Sequence, residues 1–391
     1  MQRASRHDLV RALAPRYGHV SKQEKGEILD QVCEVTGYTR KYALTLLRCP
    51  PSEVLPVKCH RRRSPSYGPV EVDLLRLCWL VTDGICSKRL APFLPELLRR
   101  LRHGQALRAF PLEVQARVAR MSAATVDRAL KSSREQAKQR RGLSTTRAGT
   151  LLKHQIAIRT FAEWTEARPG FIEMDLVAHC GWSGAGQFLY TLSMVDVATG
   201  WVACAGLRDK RQETVFHALQ RLQADLPFRI LGLDSDNGSE FINRALLDYC
   251  TSQGITFTRS RPYLKNDTCH VEQKNWAVVR RLVGYDRLEL EALPALERIH
   301  DLARDYVNFL HPVRKLVSKT RNGPRVTRRY DPAKTPFHRL VDSGVLSIKM
   351  TRQLQARSNN VDPLRLKVQL EAAQRTLAAR ALRSDSYVRQ P

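Results

Sequence analysis

Long apolar runs are missing from this chain: no segment approaches the ~20 consecutive apolar residues that span a bilayer. Nothing apolar follows the opening Met1-Gln2-Arg3-Ala4-Ser5-Arg6-His7-Asp8 either, so no signal peptide is read there. The expectation is a soluble protein with no membrane partner that stays in the cytoplasm. Paired cysteines are missing too. The nine cysteines are scattered and form no C-x-x-C, which fits reduced thiols and argues against a zinc module of paired His and Cys.

The third shortage is acid. The 38 Asp and Glu are outnumbered by 65 Lys and Arg, for a formal net charge of +27. The surplus is uneven: +17 over residues 1–170, −3 over residues 171–310 and +13 over residues 311–391. Basic flanks suit a polyphosphate, because each neutralised phosphate releases a condensed counterion. A slightly acidic centre would repel the same polymer unless cations sit between the two. DNA is therefore the expected partner, and a nucleoid-associated place in the cytoplasm goes with it. Solvated helices or an acidic membrane surface are the blander readings of the same charge. With 43% hydrophobic and 26% charged residues most of the chain should fold, and its length implies about two to four domains.

The flanks read as helical. Within residues 1–50, Ile28, Leu29, Val32 and Val35 recur at helical spacing behind Ser21-Lys22-Gln23-Glu24, an S-x-x-E capping box. Thr36-Gly37-Tyr38 breaks the pattern, and Thr39 starts a short helix through Arg48. That is the outline of a helix-turn-helix, with Ala43, Leu46 and Leu47 inward and Arg40, Lys41 and Arg48 as candidate DNA contacts. A helical hairpin with a solvated basic face is the alternative. A linker with Pro50-Pro51 and Arg61-Arg62-Arg63 follows. Residues 66–136 read as a second helical DNA-binding module, with helices over 69–82, 88–102, 111–121 and 123–133. Ser122 caps the last of these, and its Arg128 and Lys131 are further candidate DNA contacts. Residues 137–168 form a basic linker. Residues 311–391 form a basic C-terminal region with a turn at Asn322-Gly323-Pro324 and a helix over 363–383 for subunit contact or the DNA backbone; a flexible basic arm is the alternative.

The block 169–310 changes character. Strands over 171–177, 188–197 and 200–207 precede a helix over 213–226. A buried strand over 228–233 then runs into Asp234-Ser235-Asp236-Asn237-Gly238, followed by a helix over 239–253, a strand over 255–259 and a long helix from near His270. Three strands in sequence and then alternation imply an α/β domain with a mixed sheet.

Phosphodiester cleavage without a covalent enzyme intermediate is served by two Mg²⁺ ions about 4 Å apart, one at the attacking oxygen and one at the leaving oxygen. Such hard cations take carboxylate oxygens. The chain must therefore bring carboxylates together from separate elements, and adjacent strand ends do this. Asp175 lies in the first strand, Asp236 follows the fourth where Asn237-Gly238 forces a turn, and Glu272 begins the last helix. Asp234 rivals Asp236, being two residues earlier on the same face, but no Asn-Gly follows it. Glu173 shares the face of Asp175, Met174 points into the core, Asp196 reads as a turn residue and Glu240 as a helix cap. Lys265, Asn266, His270 and Lys274 flank Glu272 as candidate contacts to the scissile strand, with His270 alternatively just starting the helix.

A strand bearing Asp175, a later Asp236-Asn237-Gly238-Ser239-Glu240-Phe241 and a helix-borne Glu272 after 35 intervening residues resemble the retroviral-integrase-type core of bacterial insertion-sequence transposases. The resemblance covers residues 171–310, including Tyr306-Val307-Asn308-Phe309. It implies an RNase H-like fold, a D,D-35-E triad of Asp175, Asp236 and Glu272 as both catalytic residues and metal ligands, and two Mg²⁺ or Mn²⁺ ions. Retroviral relatives carry lysines four and seven residues after the glutamate, where this chain has Trp276 and Val279; its nearby basic residues are Lys274, Arg280 and Arg281. The His/Cys zinc module of those relatives is absent.

The chain is thus expected to be multidomain: helix-turn-helix modules, a central RNase H-like α/β domain and a basic C-terminal region. The implied activity is DNA transposition, in which terminal inverted repeats are bound, a strand is cut and the freed 3′-hydroxyl attacks target DNA, with a homo-oligomer joining two ends. A catalytically inactive DNA-binding regulator and an RNase H-like nuclease are the alternatives.

Overall fold

The Ser21-x-x-Glu24 box expected to start a helix does so. In the computed structural model, which describes residues 3–49, 66–102, 105–139, 168–235, 240–241, 243–259, 269–322 and 325–381, the Ser21 N–H donates to Glu24 Oε2 (2.9 Å) and the Glu24 N–H to Ser21 Oγ (3.4 Å). Helix α2 (Lys22–Thr36) runs from this cap to Gly37, whose φ of 69° is the left-handed conformation that a Cβ disfavours. It packs with α1 (Arg3–His19) and α3 (Arg40–Arg48) around Val10, Ile28, Leu29, Val32, Ala43 and Leu47. Val35, expected in that core, is exposed. Thr36 takes the next inward position after Val32, and its hydroxyl donates to the Val32 carbonyl. These helices belong to one unit, Met1–Ser66; the rest, Tyr67–Pro391, forms the second.

The second unit opens with five helices: α4 (Pro69–Val81), α5 (Ser87–Leu101), α6 (Leu112–Ala119), α7 (Ala123–Ala129) and α8 (Lys131–Gln139). Ser122 caps α7 by accepting from the Thr125 N–H, as expected. The helix expected over 123–133 instead breaks at Leu130, which is fully buried.

Five strands follow: β1 (Phe171–Ala178), β2 (Tyr190–Asp196), β3 (Val202–Leu207), β4 (Gly232–Ser235) and β5 (Thr256–Arg259). They lie in the order β3-β2-β1-β4-β5, antiparallel through β1 and parallel from β1 to β5, the mixed sheet expected from the element order. The fourth strand starts four residues later and ends two residues later than read from the sequence. Its start is set by Gly232, where a Cβ would lie 2.6 Å from the Phe171 ring, so only glycine lets β1 and β4 pair. Helix α9 (Gln212–Asp225) and helix α10 (Arg244–Gln253) cover one face over Ile172, Met174, Leu192, Leu233 and Leu246. The sequence reading starts α10 at residue 239 with Glu240 as its cap. Asn243 caps it instead, accepting from the Leu246 N–H (2.9 Å), and Phe241 is buried ahead of the helix.

The other face is covered by α11 (Cys269–Lys274), a π-helical stretch (Asn275–Arg280), α12 (Arg281–Val283) and α13 (Leu293–Leu310). Leu296, Ile299, Tyr306 and Phe309 of α13 are fully or almost fully buried, each contributing about 1.5–3 kcal/mol of burial. Beyond α13 lie a hairpin of β6 (Leu316–Asn322) and β7 (Arg325–Tyr330), then α14 (Pro336–Asp342), α15 (Ile348–Asn360) and α16 (Pro363–Arg380). Leu366, Leu370, Ala373 and Leu377 of α16 join Leu74, Leu94 and Leu97 of α4 and α5 in the core that includes α13. The helix read over 363–383 as a surface for subunit or DNA contact is thus a core helix.

Two polar side chains tie this core together. The Tyr306 hydroxyl donates to the Val81 carbonyl (2.6 Å), and the Asn308 amide bonds both the N–H and the C=O of Val202 on the edge strand (2.9 and 2.8 Å). Asn308→Ala would leave both buried backbone groups without that partner and is expected to cost about 2–4 kcal/mol, read as a lowered guanidinium unfolding midpoint.

Candidate active site

Strand pairing sets the first part of the site. β1 and β4 run parallel, with Glu173 opposite Asp234 and Met174 opposite Ser235. Side chains alternate across a strand, so Met174 points into the core beneath α9, while Glu173 and Asp175 face the layer of α11. Asp236 is the residue immediately after Ser235; it lies outside the described residues, as do Lys265 and Asn266.

Glu173 is buried and its Oε2 accepts the N–H groups of His270 and Val271, both at 2.9 Å. These are amides of the first turn of α11, which have no partner within the helix. One carboxyl group therefore fastens the start of the Glu272 helix to the strand carrying Asp175. Burial pushes the Glu173 carboxyl up to about 8, and the charges of Asp234 and Glu272 act in the same direction against the two amide bonds.

Asn275 fastens the same helix one turn later. Its Nδ2 donates to Asp175 Oδ2 at 2.7 Å, and the Leu176 N–H donates to Asp175 Oδ1 at 2.8 Å. Both oxygens of the half-buried Asp175 are thereby oriented. The hydrogen bonding of the helix widens to π-helical spacing from Asn275, an irregularity frequent at functional sites. Glu272 is exposed at its beginning.

Asp234 is almost fully buried, and its carboxylate accepts from Thr258 Oγ1 at 2.7 Å. Asp196 is the turn residue expected: it accepts from Gly170 N–H, Thr199 N–H and Thr199 Oγ1 at 2.8, 2.7 and 2.6 Å. Among the described residues no three His, Cys, Asp or Glu side chains group as a metal site; two of the three expected ligands are described and the third is not.

The basic candidates differ in setting. His270 is partly buried, and burial together with Lys315 and Lys274 lowers its imidazole to about 4, leaving it neutral at pH 7. Lys274 is likewise partly buried; burial, with help from Arg89, lowers its ammonium to about 7. Arg280 donates to the Ala178 carbonyl and Arg281 pairs with Asp83, so both brace the fold. Trp276 is 60% exposed and Val279 is buried. In the first unit Arg40 pairs with Asp30, while Lys41 and Arg48 are exposed. Arg128 and Lys131 are exposed on the second module.

The chain is 43% identical over 340 residues to the uncharacterized protein y4rM of Sinorhizobium fredii, covering 86% of this chain and 95% of that one. The Integrase core domain family matches residues 165–265. The chain belongs to the same family as y4rM, with an integrase core domain matched over those residues. Among solved structures, a chain of the simian T-cell lymphotropic virus intasome in complex with PP2A regulatory subunit B56 gamma is 20% identical, with 41% of this chain and 55% of that one covered, at a TM-score of 0.31. This integrase-core protein thus spans about half the length of that chain. The catalytic core domain of HTLV-2 integrase in complex with magnesium, in a dimeric form, is 21% identical with 37% and 91% covered, at a TM-score of 0.28. No helix among the described residues is long and apolar enough to cross a membrane.

The tethering roles of Glu173, Asn275 and Asn308 were not read from the sequence. Asn275 carried a usable signal, since it lies three residues after Glu272 and shares its helix face. Glu173 and Asn308 carried none, because each binds backbone groups about a hundred residues away.

Proposed function

We propose that this integrase-core protein is a DNA transposase. It binds the terminal inverted repeats of its element through the N-terminal helical modules, with Arg40, Lys41, Arg48, Arg128 and Lys131 on phosphate or base edges. The core then cuts one strand and joins the freed 3′-hydroxyl to target DNA, and a homo-oligomer pairs the two ends. The observation that carries this reading is the double tether between β1 and α11: Glu173 on the helix amides and Asn275 on Asp175. It supports a shared purpose for Asp175 and Glu272, two carboxylates 97 positions apart in the chain.

The donors present are oxygen ligands on separate elements, which suits hard divalent cations. Asp175, Asp236 and Glu272 would hold two Mg²⁺ or Mn²⁺ ions, which when bound supply charge stabilisation at the attacking and leaving oxygens. The burial of Asp234 against Thr258 supports Asp236 as the second ligand. Lys265, Asn266, His270 and Lys274 border the strand to be cut, with His270 acting as a neutral donor or acceptor.

The test is a nicking and joining assay on duplex DNA that carries the element end, with the full-length protein. Mg²⁺ or Mn²⁺ should yield 3′-hydroxyl nicks and joined products, and EDTA should remove both. Tight end binding with no nick under either metal would assign the protein to the inactive-regulator class instead.

A further inference from the structure

The β6–β7 hairpin forms a two-stranded sheet of its own, separate from the five-stranded sheet. All its residues with described side chains, 316–321 and 326–330, are exposed, so neither face is covered. Val317, at 64% exposure, and Leu316, Tyr330 and Val326 contribute apolar surface to a sheet with no core. A two-stranded hairpin without a packed face is marginal in water.

Its charges make matters worse in isolation. Lys319 sits directly opposite Arg328, and Arg329 is next in line opposite Ser318. Like charges directly opposite each other in an antiparallel pair destabilise it. The sequence offers no local relief, since no acidic residue occurs between Asp305 and Asp331. A ribbon with uncovered faces and facing cations is not arranged for its own stability. It is arranged for a polyanion.

The base of the ribbon, in contrast, is fixed. The Lys315 N–H donates to Asp331 Oδ1 (2.6 Å), Arg339 pairs with Asp331 (2.7 Å), and the Arg314 guanidinium lies 5.1 Å from the centre of the Tyr330 ring. The Lys315 ammonium donates to the Val197 carbonyl at the end of β2. It is also close enough to Glu173 and His270 for its charge to act on both. The ribbon therefore springs from the border of the candidate active site.

We propose that the β6–β7 ribbon grips duplex DNA by entering the major groove, with Lys319, Arg328 and Arg329 on the flanking phosphates. A two-stranded ribbon fits the width of that groove in B-form DNA. The proposal rests on the DNA-strand-transfer reading above and gives that reading a second point of attachment, outside the helical modules.

The test uses full-length protein and a labelled random-sequence duplex about three helical turns long, followed by anisotropy from about 50 to 200 mM salt. The variant K319A/R328A/R329A should bind about tenfold to a few hundredfold more weakly. Its log–log salt slope should be shallower by about 0.9 for each phosphate no longer neutralised, up to about 3. Its melting temperature should be unchanged or slightly higher, because a facing like-charge pair is removed. Should the triple variant fail to fold, K319A alone should still lower the slope by about 1.

A-form RNA of equal length should show a smaller difference between wild type and variant, since its major groove is too deep and narrow for a ribbon. Equal affinity and slope for wild type and variant would overturn the proposal, as would an equal difference on RNA. Lost self-association with unchanged DNA binding would overturn it too, assigning the ribbon to a second copy of this chain. In each of these cases wild-type DNA binding leaves the transposase reading standing. A wild-type protein that binds no duplex at all sinks both.

Discussion

Glu272→Gln is expected to reduce strand cleavage and joining at least about a thousandfold, while binding of the element end stays within a few-fold of wild type. The magnitude follows from the chemistry: charge stabilisation by an ion at a reacting phosphoryl group contributes several kcal/mol, and about 4 kcal/mol is about a thousandfold in rate. The amide keeps the volume and one acceptor oxygen of the carboxylate but not its charge. Glu272 is exposed and forms no part of the core, so stability should not change by more than about 0.5 kcal/mol. Cleavage and joining are read on labelled end DNA, binding by anisotropy, and folding by thermal unfolding. Undiminished joining by the variant would remove Glu272 from the site.

The second large effect concerns Glu173, which acts through the helix it holds. Glu173→Ala removes the acceptor of two helix-end amides inside the protein, at a cost of about 2–4 kcal/mol. It also frees the start of α11, and a displacement of about 1 Å at reacting groups costs about a hundredfold in rate. Activity should therefore fall at least about a hundredfold, with a higher divalent metal requirement. Glu173→Gln should behave differently. With its carboxyl raised to about 8, the metal-free protein holds Glu173 mostly neutral at pH 7, and glutamine retains a carbonyl oxygen for the amides.

The sign for stability follows from the same shift. A carboxyl whose folded value is raised from 4.5 to about 8 stabilises fully below 4.5, and that contribution is lost as pH rises through about 8. The metal-free wild type should lose stability across this window, and Glu173→Gln should flatten the loss. A glutamine variant as impaired as the alanine variant would show that the carboxyl charge, not the acceptor oxygen, positions the helix.

The periodicities of this sequence determined much of the second unit by themselves. Short apolar runs with a turn signal between the second and third gave β1 to β3, and helical spacing gave α9, because those signals are local; α13 was not read from the sequence. Two of the candidate ligands fall on elements read from local signals, Asp175 within β1 and Glu272 in α11, while Asp236 lies outside the described residues. The start of β4 was not legible, since it is fixed by the approach of Phe171 to Gly232 across the sheet. Nor was the fate of α16, whose apolar stripe serves equally for an interface or a core until α4, α5 and α13 are in place.

Acid is outnumbered by base in this chain, and its few buried acids show where local reading stops. Composition determined that the centre is acidic and the flanks basic. Only the tertiary structure decided that Glu173 ties a helix to a strand, that Asp234 answers to Thr258 and that the cations of residues 319–329 face one another across a bare ribbon. Each of those depends on which distant backbone or side chain comes within hydrogen-bond or Coulomb range, and chain spacing carries no record of that.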